Sequence, residues 1–435
     1  MKKMFFFALA AAGMLTACSN DDTLGGNGDQ NVSEQQIRLG VASSKVQTRG
    51  TGTVGGMTED ENKWAGQTLW VYMLQKGSME LGYYKTPAEA AGAAVGTAVF
   101  DNKQFNAPNT GENTVSGLAT TADGTIAYYP VSGNYDFWGY RVDDAVTGTP
   151  DVKTVNDAGD EVAADQATKR VVDITIDGSQ DIMAGKAVPS TDEVGKLGDY
   201  AEKFYSAYAA RKGVQPNITF NHLLTRFTFE VRAGSKATAG AGASGNTEAV
   251  RVQGVSVESL TDGKLTVAYT GETKEAADLL TFTGDASPLT LKQRADATAD
   301  HNDPLVDLVE VPLTWPADAD ATVGDVIPVG EALLVAPGQT EYPLTIALAQ
   351  KVKKNTAAAD KEDMALEQKA TIKMDGVKAF EPGKSYKVTI TVYGLEEIEV
   401  TATLVPWADG GSIDIDDDRN PNEGEYTEPT VTPAP

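Results

Sequence analysis

Ile218-Thr219-Phe220-Asn221-His222-Leu223-Leu224-Thr225-Arg226-Phe227-Thr228-Phe229-Glu230-Val231 is the stretch whose reading decides the fold. Apolar residues stand at alternate positions in two runs, Ile218 and Phe220, then Phe227, Phe229 and Val231. A period of two sets alternate side chains on one face of a strand. The stretch therefore reads as a short strand followed by a longer one whose Phe227, Phe229 and Val231 face a core.

The same period recurs in both directions. Upstream, Leu69, Val71 and Met73 alternate with Trp70, Tyr72 and Leu74, so both faces are apolar and the segment reads as an inner strand. Phe137, Trp138 and Tyr140, then Val172, Ile174 and Ile176, supply more strands. Downstream come Val250, Val252, Val255 and Val257, with Gly254 where a bulge would reset the alternation. Leu265, Val267 and Tyr269 follow, then Leu344, Ile346 and Leu348, Tyr386 to Val392, and Ile398, Val400, Ala402 and Leu404. Clusters of Gly, Asn, Asp and Pro separate the runs, which is the pattern of an all-β sandwich or barrel. Residues 88–98 and 143–167 are rich in Ala, Gly, Thr and Asp and read as long surface loops. Residues 199–212 read as a helix, with Tyr200, Phe204 and Tyr208 on a face packed against the core and Gly213 as the stop. Gln215, Pro216 and Asn217 break that pattern and mark a domain boundary.

The N-terminus has a different logic. Lys2 and Lys3 precede an apolar run from Met4 to Leu15, which leads through Thr16 and Ala17 into Cys18. The run is shorter than the ~20 residues a membrane span needs, so residues 1–17 read as a signal peptide. Small residues before the only cysteine look like a lipoprotein lipobox, with Cys18 as the lipidation site and the membrane reached through its lipid. A polar tether rich in Gly, Asn and Gln follows, and then Ile37, Leu39 and Val41 alternate with Arg38, Gly40 and Ala42 as one short strand. Thr48-Arg49-Gly50 comes next, a cation among small residues. Taken alone, Arg49 is a surface-loop arginine; placed after lipobox and strand, it is a site where a protease could enter.

Composition narrows the rest. The 435 residues exceed one ordinary domain, so two are expected. Formal charge is −26, with 36 basic and 62 acidic residues. Residues 1–49 carry five basic and four acidic groups, so the remainder carries −27. Such a surface repels phosphate backbones and argues against nucleic acid. Neither a nucleophile motif, a zinc-protease pattern, a P-loop nor a dinucleotide fingerprint is present, and the chain reads as a non-enzyme without cofactor or metal. His222 and His301 lack metal-ligand spacing, and His222 reads as a hydrogen-bonded structural residue. Asp414, Asp416, Asp417 and Asp418 lack the geometry of a calcium loop and read as a solvated run.

Three segments carry a family resemblance. The order of lipobox, alternating strand and Thr-Arg-Gly is similar to that of the fimbrillin-type, type V pilins of Bacteroidales. The strand–His–strand segment at 218–231, preceded by Gln180-Asp181-Ile182-Met183-Ala184, resembles the start of that family's C-terminal domain. Residues 380–411 (FEPGKSYKVTITVYGLEEIEVTATLVPWADGG) resemble its ending. The resemblance implies two tandem transthyretin-like Greek-key β-sandwich domains with long surface loops, at 50–215 and 216–418, after a removable segment at 18–49 and before a Pro-rich tail at 419–435. It also implies a fimbrial subunit whose partners are other pilins, an arginine-specific protease cutting between Arg49 and Gly50, and the outer membrane. Ile37, Leu39 and Val41 would leave with the leader. A strand of another subunit would take their place, and in this chain the candidate donors are Ile398, Val400, Ala402 and Leu404, or Ile413 and Ile415. So short a donor, followed by acidic and Pro-rich residues, suits a tip or accessory subunit, with a host protein or glycan as its ligand. The competing reading is a surface glycan-binding lipoprotein of a nutrient-uptake system, with Trp64, Trp70, Trp138, Trp315 and Trp407 as platforms.

Overall fold

Alternation of apolar and polar side chains yields strands, and the computed structural model is built almost wholly from them. It describes residues 37–43, 68–84, 97–106, 119–120, 127–130, 132–240, 248–295, 305–318, 320–353, 361–374, 376, 378–405 and 412–413. All of these belong to one compact unit. Cys18, Arg49, Gly50, Ile415, Trp64 and Trp407 lie outside the described residues, as does most of 88–98.

Three sheets carry the fold. The first runs, in spatial order, β18 (Ser412–Ile413), β1 (Gly40–Ser43), β9 (Asn217–His222), β8 (Met183–Lys186), β5 (Tyr135–Arg141), β2 (Thr68–Gln75), β3 (Lys103–Asn106) and β4 (Ala119–Thr120). The second runs β13 (Ile327–Val335), β10 (Thr225–Ala233), β16 (Ser385–Val392) and β17 (Ile398–Val405). The third runs β15 (Lys361–Lys373), β14 (Glu341–Lys353), β11 (Arg251–Tyr269), β7 (Lys169–Thr175) and β6 (Val152–Val155), with β12 (Leu280–Thr290) also paired to β11. The expected all-β sandwich architecture is what these sheets form.

The first sheet is apolar on both faces, as the double apolar pattern of β2 requires. Leu69, Val71, Met73, Phe137, Ile218 and Phe220 share one buried cluster, which takes in Leu197, Tyr205 and Ala209 from the helical segment. Trp70, Tyr72, Leu74, Trp138 and Tyr140 point the other way, into a larger cluster with Val172, Ile174 and Tyr269 of the third sheet. Trp138 and Tyr269 meet edge to face at 6.0 Å across that layer. Farther along, the second and third sheets close on each other around Phe227, which contacts Phe380 and Tyr342 at ring separations of 5.2 Å. Phe227, Phe229 and Val231 are all buried, as their spacing predicts.

Pairing crosses residue 215 in both directions. β9, just after it, completes the first sheet between β1 and β8, while β6 and β7, well before it, extend the third sheet beside β11. β9 approaches β8 so closely that a Cβ on Gly185 would lie 1.9 Å from the Thr219 carbonyl oxygen, which leaves room for glycine alone.

Three local expectations are corrected. The runs at 250–257 and 265–269 form one nineteen-residue strand, because register shifts let β11 bend without ending; one of them lies between Val252 and Gly254, where the glycine was expected to act. The segment 143–167 holds a 3-10 turn at Asp143–Ala145 and the strand β6. The helix expected over 199–212 is broken into α1 (Thr191–Leu197), a 3-10 segment (Gly198–Lys203) and α2 (Ala207–Arg211). Tyr205 causes the break: it adopts φ +58° and inserts edge to face on Phe137 at 5.7 Å. Tyr205 and Ala209 are thus the inward residues, while Tyr200 stays 47% exposed and the Phe204 and Tyr208 faces carry Lys76 and Lys212. Gly213 does stop the helix. With φ +71° it lets its own N–H reach the Ala210 carbonyl and that of Val214 reach Ala209, the two bonds of a Schellman cap.

Phe227 fills the layer between two sheets, so Phe227→Ala should cost about 3–5 kcal/mol in chemical denaturation. A loss under about 1 kcal/mol, the scale of a surface change, would show that the inter-sheet core does not depend on it.

Candidate functional site

The alternating residues before Thr48 lie in a seam at the edge of the first sheet. β1 runs parallel to β9, with Gly40 opposite Asn217 and Ser43 opposite Phe220. Its approach is fixed one hydrogen bond at a time. The Ile37 N–H donates to the Ala127 carbonyl at 2.8 Å, the Arg38 N–H to the Gln215 side chain at 3.3 Å, and the Gly40 N–H to the Pro216 carbonyl at 3.0 Å. Pro216 has no N–H of its own, so it serves the seam only as an acceptor. Ile37 and Leu39 are 6% and 3% exposed and belong to the same cluster as Ile218 and Phe220. Arg38 between them is only partly buried, as the alternation demands. On its other side β1 pairs antiparallel with β18, Val41 opposite Ile413 and Ala42 opposite Ser412.

A leader strand held in this way has two properties. It supplies apolar side chains to the core, and it covers the backbone edge of β9. Without it, β9 would present unpaired N–H and C=O groups beside an apolar slot, a template for another strand.

The candidate donors are placed differently. β17, which carries Ile398, Val400, Ala402 and Leu404, pairs with β16 through all eight of its residues, from Val392 opposite Ile398 to Ser385 opposite Val405. Ile398, Val400 and Ala402 pack on the main core, whereas Leu404 is 57% exposed. Ile413 sits in β18, against β1. The glycan platforms fare unequally: Trp70 and Trp138 are buried, and Trp315 is half-buried against the core.

The Asp-Ile-Met-Ala element and His222 meet in a cluster that sequence spacing did not connect. Asp181 is fully buried and its Oδ1 lies 3.0 Å from His222 Nδ1. Arg141 donates to the Asp181 carbonyl at 3.0 Å and pairs with Asp143, whose other oxygen accepts the Asp181 N–H at 2.8 Å. Arg226 donates to Ser385 at 2.9 Å and feels the Asp181 charge. Burial pulls Arg226 down to about 10, opposed by Asp181 and Glu331, so it stays cationic at neutral pH. Burial also opposes ionisation of Asp181, but His222, Arg141 and Arg226 outweigh it and hold the carboxyl below its ordinary value. His222 is therefore a structural residue, and among the described residues no group of metal-ligating side chains forms.

No family model and no curated protein sequence matches the chain. Among solved structures it is similar to a fimbrial protein from Bacteroides vulgatus, with a TM-score of 0.45 and 11% identity over 86% of this chain and 99% of that one. It is also similar to a candidate cell adhesion protein from Bacteroides uniformis, with a TM-score of 0.38 and 16% identity over 86% and 98% of the two chains. The fimbrial anchor protein Mfa2 from Porphyromonas gingivalis aligns over 86% and 99%, with a TM-score of 0.27 and 9% identity. These structural neighbours are fimbrial and cell-adhesion proteins.

Two outcomes follow from the geometry. Leu39→Ala should destabilise the intact chain by about 2–5 kcal/mol, since it opens a cavity in a packed core; a change near zero in denaturant titration would mean that the seam is not structural. Asp181→Asn should cost about 3–5 kcal/mol, because it leaves buried cations without their counter-charge. As the folded carboxyl titrates below the unfolded one, its contribution is complete above the ordinary carboxylate range near ~4 and disappears as pH falls through the depressed native value. The acid limb of the stability–pH curve should accordingly flatten in the variant, and an unchanged limb would refute that assignment.

Proposed function

We propose that this protein is a structural subunit of a cell-surface fimbria, in a tip or accessory position, held to the outer membrane through lipid on Cys18 and opened for strand exchange by cleavage between Arg49 and Gly50. The observation that carries the reading is the seam. Ile37 and Leu39 are core residues, yet they stand a few residues before Arg49 in sequence, so a single cut there would sever from the body a strand that the body needs. Few other functions give a reason to build a removable piece into a core.

In this reading the acceptor is the lobe at 50–215 extended by β9, and its partner strand comes from another pilin of the same fimbria. Between the candidate donors, β17 would have to leave eight paired residues and three core contacts, whereas Ile413 and Ile415 belong to the last short strand before the acidic and Pro-rich tail. We take 413–415 as the donor. Its shortness would make self-polymerisation poor, which suits a capping subunit that presents a ligand-binding surface to a host protein or glycan. The glycan-uptake alternative is left with fewer platforms, since Trp70 and Trp138 have no exposed face to stack on a sugar.

Purified protein treated with an arginine-specific protease should yield a product beginning at Gly50, and the product should accept an added donor peptide or a second subunit. If Arg49→Ala protein assembles as well as wild type, strand removal is not the switch. A sub-millimolar glycan affinity by calorimetry, together with no assembly after cleavage, would favour the uptake reading.

A further inference from the structure

The C-terminal strand is placed where it has one neighbour. β18 ends the first sheet, and among the described residues its strand partner is β1. The chain reaches it from the second sheet: β17 stops at Val405 and β18 begins at Ser412, so the connection spans about 25 Å at most. The donor-like segment Ile413-Asp414-Ile415 repeats the apolar–charged–apolar order of Ile37-Arg38-Leu39. It is thus docked, in the uncleaved chain, on the strand whose removal would create a demand for such a segment.

We propose, resting on the strand-exchange reading above, that β1 is also a latch: it holds the chain's own C-terminal strand beside it, so that the uncleaved subunit can neither accept nor donate and one cut releases both functions. The tether makes this effective despite the brevity of the pairing. A strand connected by six residues to a folded sheet meets its neighbour at an effective concentration of order millimolar, above the concentration at which another subunit's strand would normally compete. Loss of β1 removes the surface on which β18 is laid, and the tether then presents the segment outward. The same event bares the edge of β9. Autoinhibition and activation would then share one element, which keeps a subunit from being a donor before it is an acceptor.

The test separates the latch from the assembly reading. In the full-length, uncleaved protein, hydrogen–deuterium exchange of the peptide covering 406–415 should be slowed at least about tenfold relative to an unstructured peptide, and Ser412→Pro/Ile413→Pro should abolish that protection without lowering the melting temperature. Since β18 adds little core, this variant should fold. Protection that is absent in wild type, or that survives the double substitution, overturns the latch whatever the protein does in assembly. For the inhibitory half, Arg49→Ala chain carrying Ser412→Gly, which weakens the pairing but keeps Ile413, is mixed with cleaved wild-type chain. Native mass spectrometry should find mixed dimers at several-fold higher yield than with Arg49→Ala alone. Equal yields overturn autoinhibition. If cleaved chain binds no donor of any kind while 406–415 remains protected by β1, the strand-exchange reading falls and the pairing is only a clasp on the C-terminus.

Discussion

One strand has to face two different partners, and the rest of the structure is arranged around that demand. β11 spans nineteen residues, from Arg251 to Tyr269. Its first part turns Val252, Val255 and Val257 toward the layer shared with the second sheet; its last part turns Leu265, Val267 and Tyr269 toward the cluster that includes Trp138 and Tyr140. A straight, regular strand this long would keep one face on one plane. Register shifts near Val252, Leu260 and Thr266 break the ladder and add twist, so that the strand follows the change of partner. The sandwich layers before and after residue 215 consequently share one apolar cluster.

Where those layers meet, the chain places charge rather than more apolar volume. Asp181, His222, Arg141 and Arg226 come from the loop before β8, the end of β9, the end of β5 and the start of β10, and together they tie these elements at one point. Buried ionic groups rarely add net stability over well-packed apolar ones. They do penalise misplacement, since any strand shifted by one residue would strand a charge without its partner. We read the cluster as a register lock, which accounts for a His, an Asp and two Arg in segments otherwise chosen for apolar alternation.

The leader strand is the opposite case. Its attachment is a handful of backbone bonds and two buried side chains, at the edge of a sheet and close to a chain segment with small residues around an arginine. Edge strands are where proteins guard against unwanted pairing. Here the guard is covalently dispensable, and the neighbouring C-terminal strand depends on it. The core therefore combines parts that cannot be moved without unfolding, such as Phe227 in its ring of Tyr342, Phe380 and Tyr386, with one part whose removal leaves the remaining sheets and their core contacts in place.

Much of this was legible in the sequence, for a physical reason. Side-chain alternation is a local property with a period of two, so the strands around Leu69, Phe137, Val172, Phe227, Leu344 and Tyr386, and the burial of Phe227, Phe229 and Val231, follow from spacing alone. The leader strand with its Ile37 and Leu39 was visible for the same reason, as were the bulge at Gly254 and the helix stop at Gly213, which depend on one residue's conformational freedom. What spacing could not supply is which strands pair. That β1 lies parallel to β9 and beside Ser412–Ile413, and that residues 152–175 join a sheet built mostly from the second half, depend on contacts between residues far apart in the chain. The helix at 199–212 failed for a related reason: four-residue spacing of Tyr200, Phe204 and Tyr208 favoured one face, but the pocket beside Phe137 takes Tyr205, and filling it outweighs one left-handed residue. Asp181, His222 and Arg141 each looked like isolated polar residues until the fold brought them within hydrogen-bonding distance, because local sequence carries no record of a charge's partner forty residues away.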